Sequence, residues 1–132
     1  MAGKPYRPLS PHLQIYRLPL TAVLSISHRI TGVCLSVGLI VLAAGLVIVG
    51  TGGETFPPLA GALASAPGQV MLWLWIFALT FHACHGVRHL LWDVEIGLAR
   101  RQQTLFNLLE LASAVGLTVA LWLIGHSGGA HV

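Results

Sequence analysis

Charge is what this sequence has least of. Only 8% of its 132 residues are Asp, Glu, Lys or Arg, against roughly a quarter in soluble globular domains, so a water-exposed fold is excluded. Charged side chains are missing altogether from Ile30 to Gly53, from Thr55 to Val87 and from Leu111 to the end. Each gap holds the roughly 20 apolar residues that span a bilayer. Cysteine is nearly as scarce. Cys34 and Cys84 both fall inside these gaps, where a thiol acts as a small apolar group and two so placed form no metal-binding pair. A secretory signal is lacking too, because the first 29 residues carry four basic residues, four prolines and no unbroken apolar stretch, so the mature chain is expected to begin near Met1. Nor is there a single basic face. Lys4, Arg7, Arg17, Arg29, Arg88, Arg100 and Arg101 lie beside the apolar runs, which sets nucleic acid aside as a partner. No internal repeat is visible.

What is present, 55% hydrophobic residues in a chain long enough for one compact unit, predicts an all-α membrane protein with three transmembrane helices. These are expected at about 21–49, 69–94 and 104–125, within a membrane domain of 21–126. The segment 1–20, with Pro5, Pro8, Pro11 and Pro19, is expected to form an interfacial arm that docks on partner subunits, because proline forbids a regular helix there while Tyr6, Leu9, Leu13, Ile15 and Tyr16 supply apolar contacts. A Gly/Ala/Pro-rich loop is expected from Thr51 to Gly68, and a short tail from 127 to 132. Basic residues occupy the N-terminal arm and the loop after the second helix but neither the first loop nor the tail. The positive-inside tendency then places the N-terminus on the cytoplasmic or matrix side and the C-terminus opposite.

The polar residues within the apolar runs are few and grouped. On the second helix His82, His85, Gly86, His89 and Asp93 fall at i, i+3, i+4, i+7 and i+11, which is helical-face spacing. His82 lies roughly 15 Å along the helix from Asp93, well inside hydrocarbon, where ionisable groups are rare unless they serve a site. An imidazole at that depth suits axial ligation of a haem iron, and Gly86 on the same face leaves room for a flat macrocycle. A histidine hydrogen-bonded to another helix fits the spacing as well. His85 rivals His82 as ligand, and His89, nearer the surface, suits a propionate contact or a proton path. On the first helix Ser25, His28, Arg29 and Gly32 make a second stripe at similar depth. Arg29 there either grips a propionate bidentately or snorkels to headgroups, and Ser25 or Ser27 can donate to a quinone carbonyl. Asp93 and Glu95 are expected in interfacial ion pairs with Arg88, Arg100 or Arg101; Glu110 sits near the interface or pairs within the bundle. Trp73, Trp75, Trp92 and Trp122 read as aromatic-belt anchors.

Three segments carry a resemblance: Arg7-Pro8-Leu9-Ser10-Pro11-His12-Leu13, Ser25-Ile26-Ser27-His28-Arg29-Ile30-Thr31-Gly32, and His82 to Asp93. Together they closely resemble the cytochrome b556 subunits of succinate dehydrogenase, the large membrane anchors of respiratory complex II. The SxxHRxTG and HxxxGxRHLxWD patterns are specific, and the third helix matches only in being hydrophobic. The resemblance implies a multi-pass anchor in the bacterial cytoplasmic or mitochondrial inner membrane, not an enzyme as an isolated chain. It implies partnership with a second small hydrophobic anchor subunit, an iron-sulfur subunit and a flavoprotein subunit, in membrane lipid, with electrons passing to ubiquinone or menaquinone. Position by position it implies haem b shared with the sister anchor, His82 as one axial ligand, His28, Arg29 and His89 near the propionates, and Ser25 with Arg29 at the quinone. His85 departs from the family pattern and keeps its standing as rival ligand. A haem-free anchor of the same complex, or a subunit of an unrelated membrane cytochrome b, are the alternatives.

Overall fold

The computed structural model describes residues 15–51 and 56–128; the expected interfacial arm falls largely outside the described residues, as does most of the tail. All the regular structure among the described residues is helical: α1 (Leu20–Gly50), α2 (Phe56–Ala64), α3 (Ala66–Asp93) and α4 (Arg100–Gly128). Three of these, α1, α3 and α4, are long and apolar enough to cross a membrane, in agreement with the three spans expected. Helix α3 is central, packing against both α1 and α4, while α2 folds against α3 and touches α1.

The expected loop 51–68 is corrected: it contains α2. Its two prolines, Pro57 and Pro58, sit in the first turn, where the missing N–H groups have no intrahelical partner anyway. The same physics starts α3 earlier than position 69. Ser65 caps it, its hydroxyl accepting from the Gly68 amide at 3.3 Å, with proline again in the first turn. The α2–α3 turn is so tight that a Cβ at Gly68 would strike the Ala62 carbonyl and the Leu63 backbone. Helix α4 also begins earlier than 104, so Arg100 and Arg101 belong to its first turn. Basic residues are poorly placed at a helix N-terminus, but Gln102 compensates by reaching back to accept from the Ala99 amide at 3.4 Å, half of a capping box.

Helix α3 ends in a Schellman turn. The Glu95 amide donates to Trp92 O and the Ile96 amide to Leu91 O, both at 2.9 Å, and Glu95 takes φ 61°. The expected ion pairs of Asp93 and Glu95 are not formed among the described residues, because Arg88 turns inward to Glu110 while Asp93 and Glu95 stay exposed.

The interior reverses the soluble-protein rule. The buried apolar residues are Leu24, Phe81 and Ala114, whereas Thr80, His85, Arg88, Asn107 and Glu110 are buried and polar. Apolar side chains face outward, where lipid solvates them, and polar groups find partners between helices. Along the α3–α4 seam the layers run from Thr80 and Thr118, whose hydroxyls lie 2.8 Å apart, through Phe81 and Ala114, to the His85–Glu110–Arg88–Asn107 group. Of the tryptophans expected to form an aromatic belt, Trp122 and Trp73 gather around His126 with ring centroids 4.3 and 6.1 Å away, and the Trp75 indole lies over Gly38, where a Cβ would collide with it.

Candidate functional site

The two polar stripes meet. His28 of α1 stacks on His82 of α3 with ring centroids 3.9 Å apart and planes 16° from parallel. The same His28 ring lies 4.5 Å from His85 and 5.6 Å from His89. One glycine permits this: a Cβ at Gly32 would stand 3.0 Å from Cε1 of His82, so the imidazole rests on bare α1 backbone.

The hydrogen bonds of His82 fix its tautomer. Its Nδ1 is 3.1 Å from the His28 carbonyl oxygen, which can only accept, so Nδ1 carries the proton. Thr31 donates its own hydroxyl proton to that carbonyl at 2.9 Å and offers its oxygen to Nδ1 at 3.3 Å. The lone pair is thereby left on Nε2, which is how a ligating histidine is oriented by its neighbours. His82 is half-buried.

His85 is held differently. It is 0% exposed, its Nδ1 lies 2.7 Å from Glu110 Oε1, and its Nε2 is buried without a hydrogen-bond partner. Arg88, 3% exposed, donates from Nη1 to the other Glu110 oxygen at 3.1 Å and to Asn107 Oδ1. Asn107 in turn donates to Thr21 Oγ1 at 3.1 Å, and the Arg88 guanidinium carbon sits 4.7 Å above the Trp92 ring. The guanidinium cancels the carboxylate charge where solvent is excluded, as buried ions require. A cleft of about 460 Å³ opens on Thr21, Asn107, Arg100 and Gln103.

The sequence-predicted residues thus divide. His28, His82, His85 and His89 come together, and His28, His85 and His89 each bring one ring nitrogen to within 4.8 Å of the others. Ser25 is half-buried on the same helix as His28, one turn away, and Arg29 is exposed. Of the two places open to Glu110, the bundle interior is the one it takes. Arg88, Asn107 and Thr31 were given no site role from the sequence, and Gly32 was placed only as a member of the first-helix stripe. Arg88 carried a usable signal, since it lies three residues after His85 on an otherwise uncharged run. Gly86 keeps the space ascribed to it: a Cβ there would meet nothing within 4 Å.

A family model described as succinate dehydrogenase/fumarate reductase transmembrane subunit matches residues 3–125. The chain is 39% identical to the succinate dehydrogenase cytochrome b556 subunit of Paracoccus denitrificans over 86% of this chain and 87% of that one. It is 34% identical to the subunit of the same name from Rickettsia bellii, over 88% and 90% of the two chains. With the mitochondrial cytochrome b560 subunit of Sus scrofa it shares 35% identity over 84% of this chain and 69% of that one.

Proposed function

Because this chain belongs to the succinate dehydrogenase/fumarate reductase transmembrane subunit family, we propose that it binds a b-type haem through His82 and, with a sister anchor, forms the quinone-reduction site of its complex. It is a membrane anchor subunit of the cytochrome b class, a non-catalytic electron-transfer component that works with the other complex II subunits in a bacterial or mitochondrial membrane. The specific partners we assign are a second small hydrophobic anchor, an iron-sulfur subunit and a flavoprotein subunit.

The observation that carries the haem assignment is the His82 tautomer: Nδ1 donates to the His28 carbonyl and Nε2 retains its lone pair on a half-buried ring. The donor chemistry fits haem iron, and the open side of Gly86 suits a flat macrocycle. His85, though equally provided with a free Nε2, is sealed inside this one chain and offers no approach to a group shared with a neighbour. We therefore assign the ligand role to His82 and not to His85. When bound there, the haem supplies a one-electron redox centre.

This chain's residues do the rest by holding and orienting. Thr31 and the His28 carbonyl fix the His82 ring plane. His28, Arg29 and His89 are assigned to the propionates, and Ser25 and Arg29 to the quinone carbonyl, with Arg29 exposed and so free to reach a ligand or the sister subunit. The quinone is ubiquinone or menaquinone. The deciding experiment is the reduced-minus-oxidised optical spectrum of the purified complex, with and without His82→Ala. A b-type band that the substitution abolishes or shifts supports the assignment; an unchanged band removes it, and a band lost in His85→Ala instead transfers the role.

A further inference from the structure

We propose that His28, His85 and His89 form a binding site for one divalent transition-metal ion, zinc by the chemistry of the donors, where α1 packs on α3. The site goes beyond the haem and quinone reading and does not depend on it. His82 stays outside the group, its Nδ1 committed to the His28 carbonyl and its Nε2 assigned above to haem iron.

The three imidazoles each bring one ring nitrogen to within 4.8 Å of the others. Their ring centroids are 4.5 Å apart for His28 and His85, 5.6 Å for His28 and His89, and 5.0 Å for His85 and His89. Zinc holds imidazole nitrogens at about 2.0–2.1 Å, which in a tetrahedron sets them about 3.4 Å from one another, so inward shifts of about 1 Å complete the set. His89, exposed on α3, has the freedom to make most of that movement. Two of the rings already hold a nitrogen in need of a partner: Nε2 of His28 and Nε2 of His85 are both buried with no hydrogen bond among the described residues. His28 meets His82 with its ring face, which leaves the nitrogens at its edge available. A structural seam has no use for two stranded imidazole nitrogens on neighbouring rings, because buried polar atoms are ordinarily paired.

Glu110 prepares His85 as a donor. Arg88 donates to one of its carboxylate oxygens at 3.1 Å, and His85 Nδ1 lies 2.7 Å from the other. Both oxygens act as acceptors, so Nδ1 carries the imidazole proton and Nε2 keeps the lone pair. A carboxylate placed behind a histidine in this way is the usual orienting partner of a metal ligand. Imidazole nitrogens suit zinc and its transition-metal neighbours and not magnesium or calcium, which take oxygen. Three histidines with one open position is a zinc arrangement. Because His89 is exposed, the open position is within reach of water or of a carboxylate such as a haem propionate, so this chain does not have to neutralise the ion alone. Arg88 and Glu110 offset each other and add no further charge to the balance.

The test uses the intact complex, treated with a chelator and then titrated with zinc chloride. Wild-type complex should take up one zinc ion per copy of this chain more than complex carrying His85→Asn, which keeps a donor to Glu110 and removes Nε2. Glu110→Gln leaves all three imidazoles in place. Its amide oxygen goes to Arg88 and its NH2 group to His85 Nδ1, which moves the imidazole proton to Nε2 and closes the donor. Zinc binding should weaken about tenfold to a hundredfold. Equal uptake by wild-type and His85→Asn complexes would overturn the site, and undiminished affinity in Glu110→Gln would overturn the orienting role of Glu110. X-ray absorption at the zinc edge, on unmodified complex carrying one equivalent, decides independently of whether the variants assemble. It should show three imidazole nitrogens at about 2.0–2.1 Å; a shell containing sulfur, or fewer than three imidazoles, would place the ion elsewhere and refute the proposal.

Discussion

Glu110 holds two partners at once, His85 Nδ1 at 2.7 Å on one carboxylate oxygen and Arg88 Nη1 at 3.1 Å on the other, with all three side chains buried between α3 and α4. The carboxylate is the keystone of the group. Removing it strands a guanidinium and an imidazole in a medium that solvates neither. Glu110→Ala should therefore destabilise the chain by about 3–5 kcal/mol, the usual cost of breaking a buried pair from one side. Thermal denaturation of the purified complex, or its yield from membranes, measures this. The triple change His85→Leu, Arg88→Met, Glu110→Leu should cost less than Glu110→Ala alone, since no unpaired charge remains. If the triple variant proves the less stable, the network contributes more than mutual neutralisation.

Gly32 and Gly86 stand in opposite surroundings, which separates their roles. A Cβ at Gly32 presses on His82 Cε1 at 3.0 Å, whereas one at Gly86 meets nothing. Gly32→Val should tilt the His82 ring off its Thr31 and His28 partners and weaken or shift the b-type band. Gly86→Leu leaves this chain's packing intact, so any spectral change it causes comes from a group outside the chain. A spectrum indifferent to Gly86→Leu would move the macrocycle to another face of α3.

Arg29 is exposed while its neighbour His28 is packed in the cluster, so its substitution should leave stability alone. Arg29→Ala should slow quinone reduction by roughly tenfold to a hundredfold, the loss of a hydrogen bond from a charged donor worth about 1.5–3 kcal/mol. Reduction of a soluble artificial acceptor should be unaffected. Equal loss of both activities would point to assembly instead of quinone binding.

The sequence made the spans legible because charge-free runs of bilayer length have few other meanings. It made the histidine stripe legible because α-helical spacing is fixed. It did not show how the stripe divides. A step of three residues turns a helix to about 60° short of a full circle, and a step of seven to about 20° short. His82 and His89 therefore stay nearly in line while His85 swings towards α4, where Glu110 waits. That outcome depends on the register of α4, whose Asn107 and Glu110 lie one turn apart but do not by themselves say which helix they face. Pro57, Pro58 and Pro67 misled for a related reason: prolines read as loop, yet each lies in a first turn, where its missing amide is harmless.

Glu95 offers a test of backbone physics apart from the site. It occupies the left-handed position of the turn that ends α3, with φ 61°, and its two flanking amide bonds close the Schellman geometry. Glycine adopts that conformation without the Cβ clash that costs other residues about 1–2 kcal/mol. The Glu95 side chain is exposed and pairs with no cation among the described residues, so little is lost by deleting it. Glu95→Gly should accordingly raise the thermal stability of the complex by about 1 kcal/mol, reduced in part by the greater freedom glycine gives the unfolded chain. Glu95→Val, β-branched and ill-suited to positive φ, should lower it. A destabilised Glu95→Gly would mean that the carboxylate has a partner in the assembled complex, and a charge-reversal scan of the neighbouring subunit's facing surface would find it.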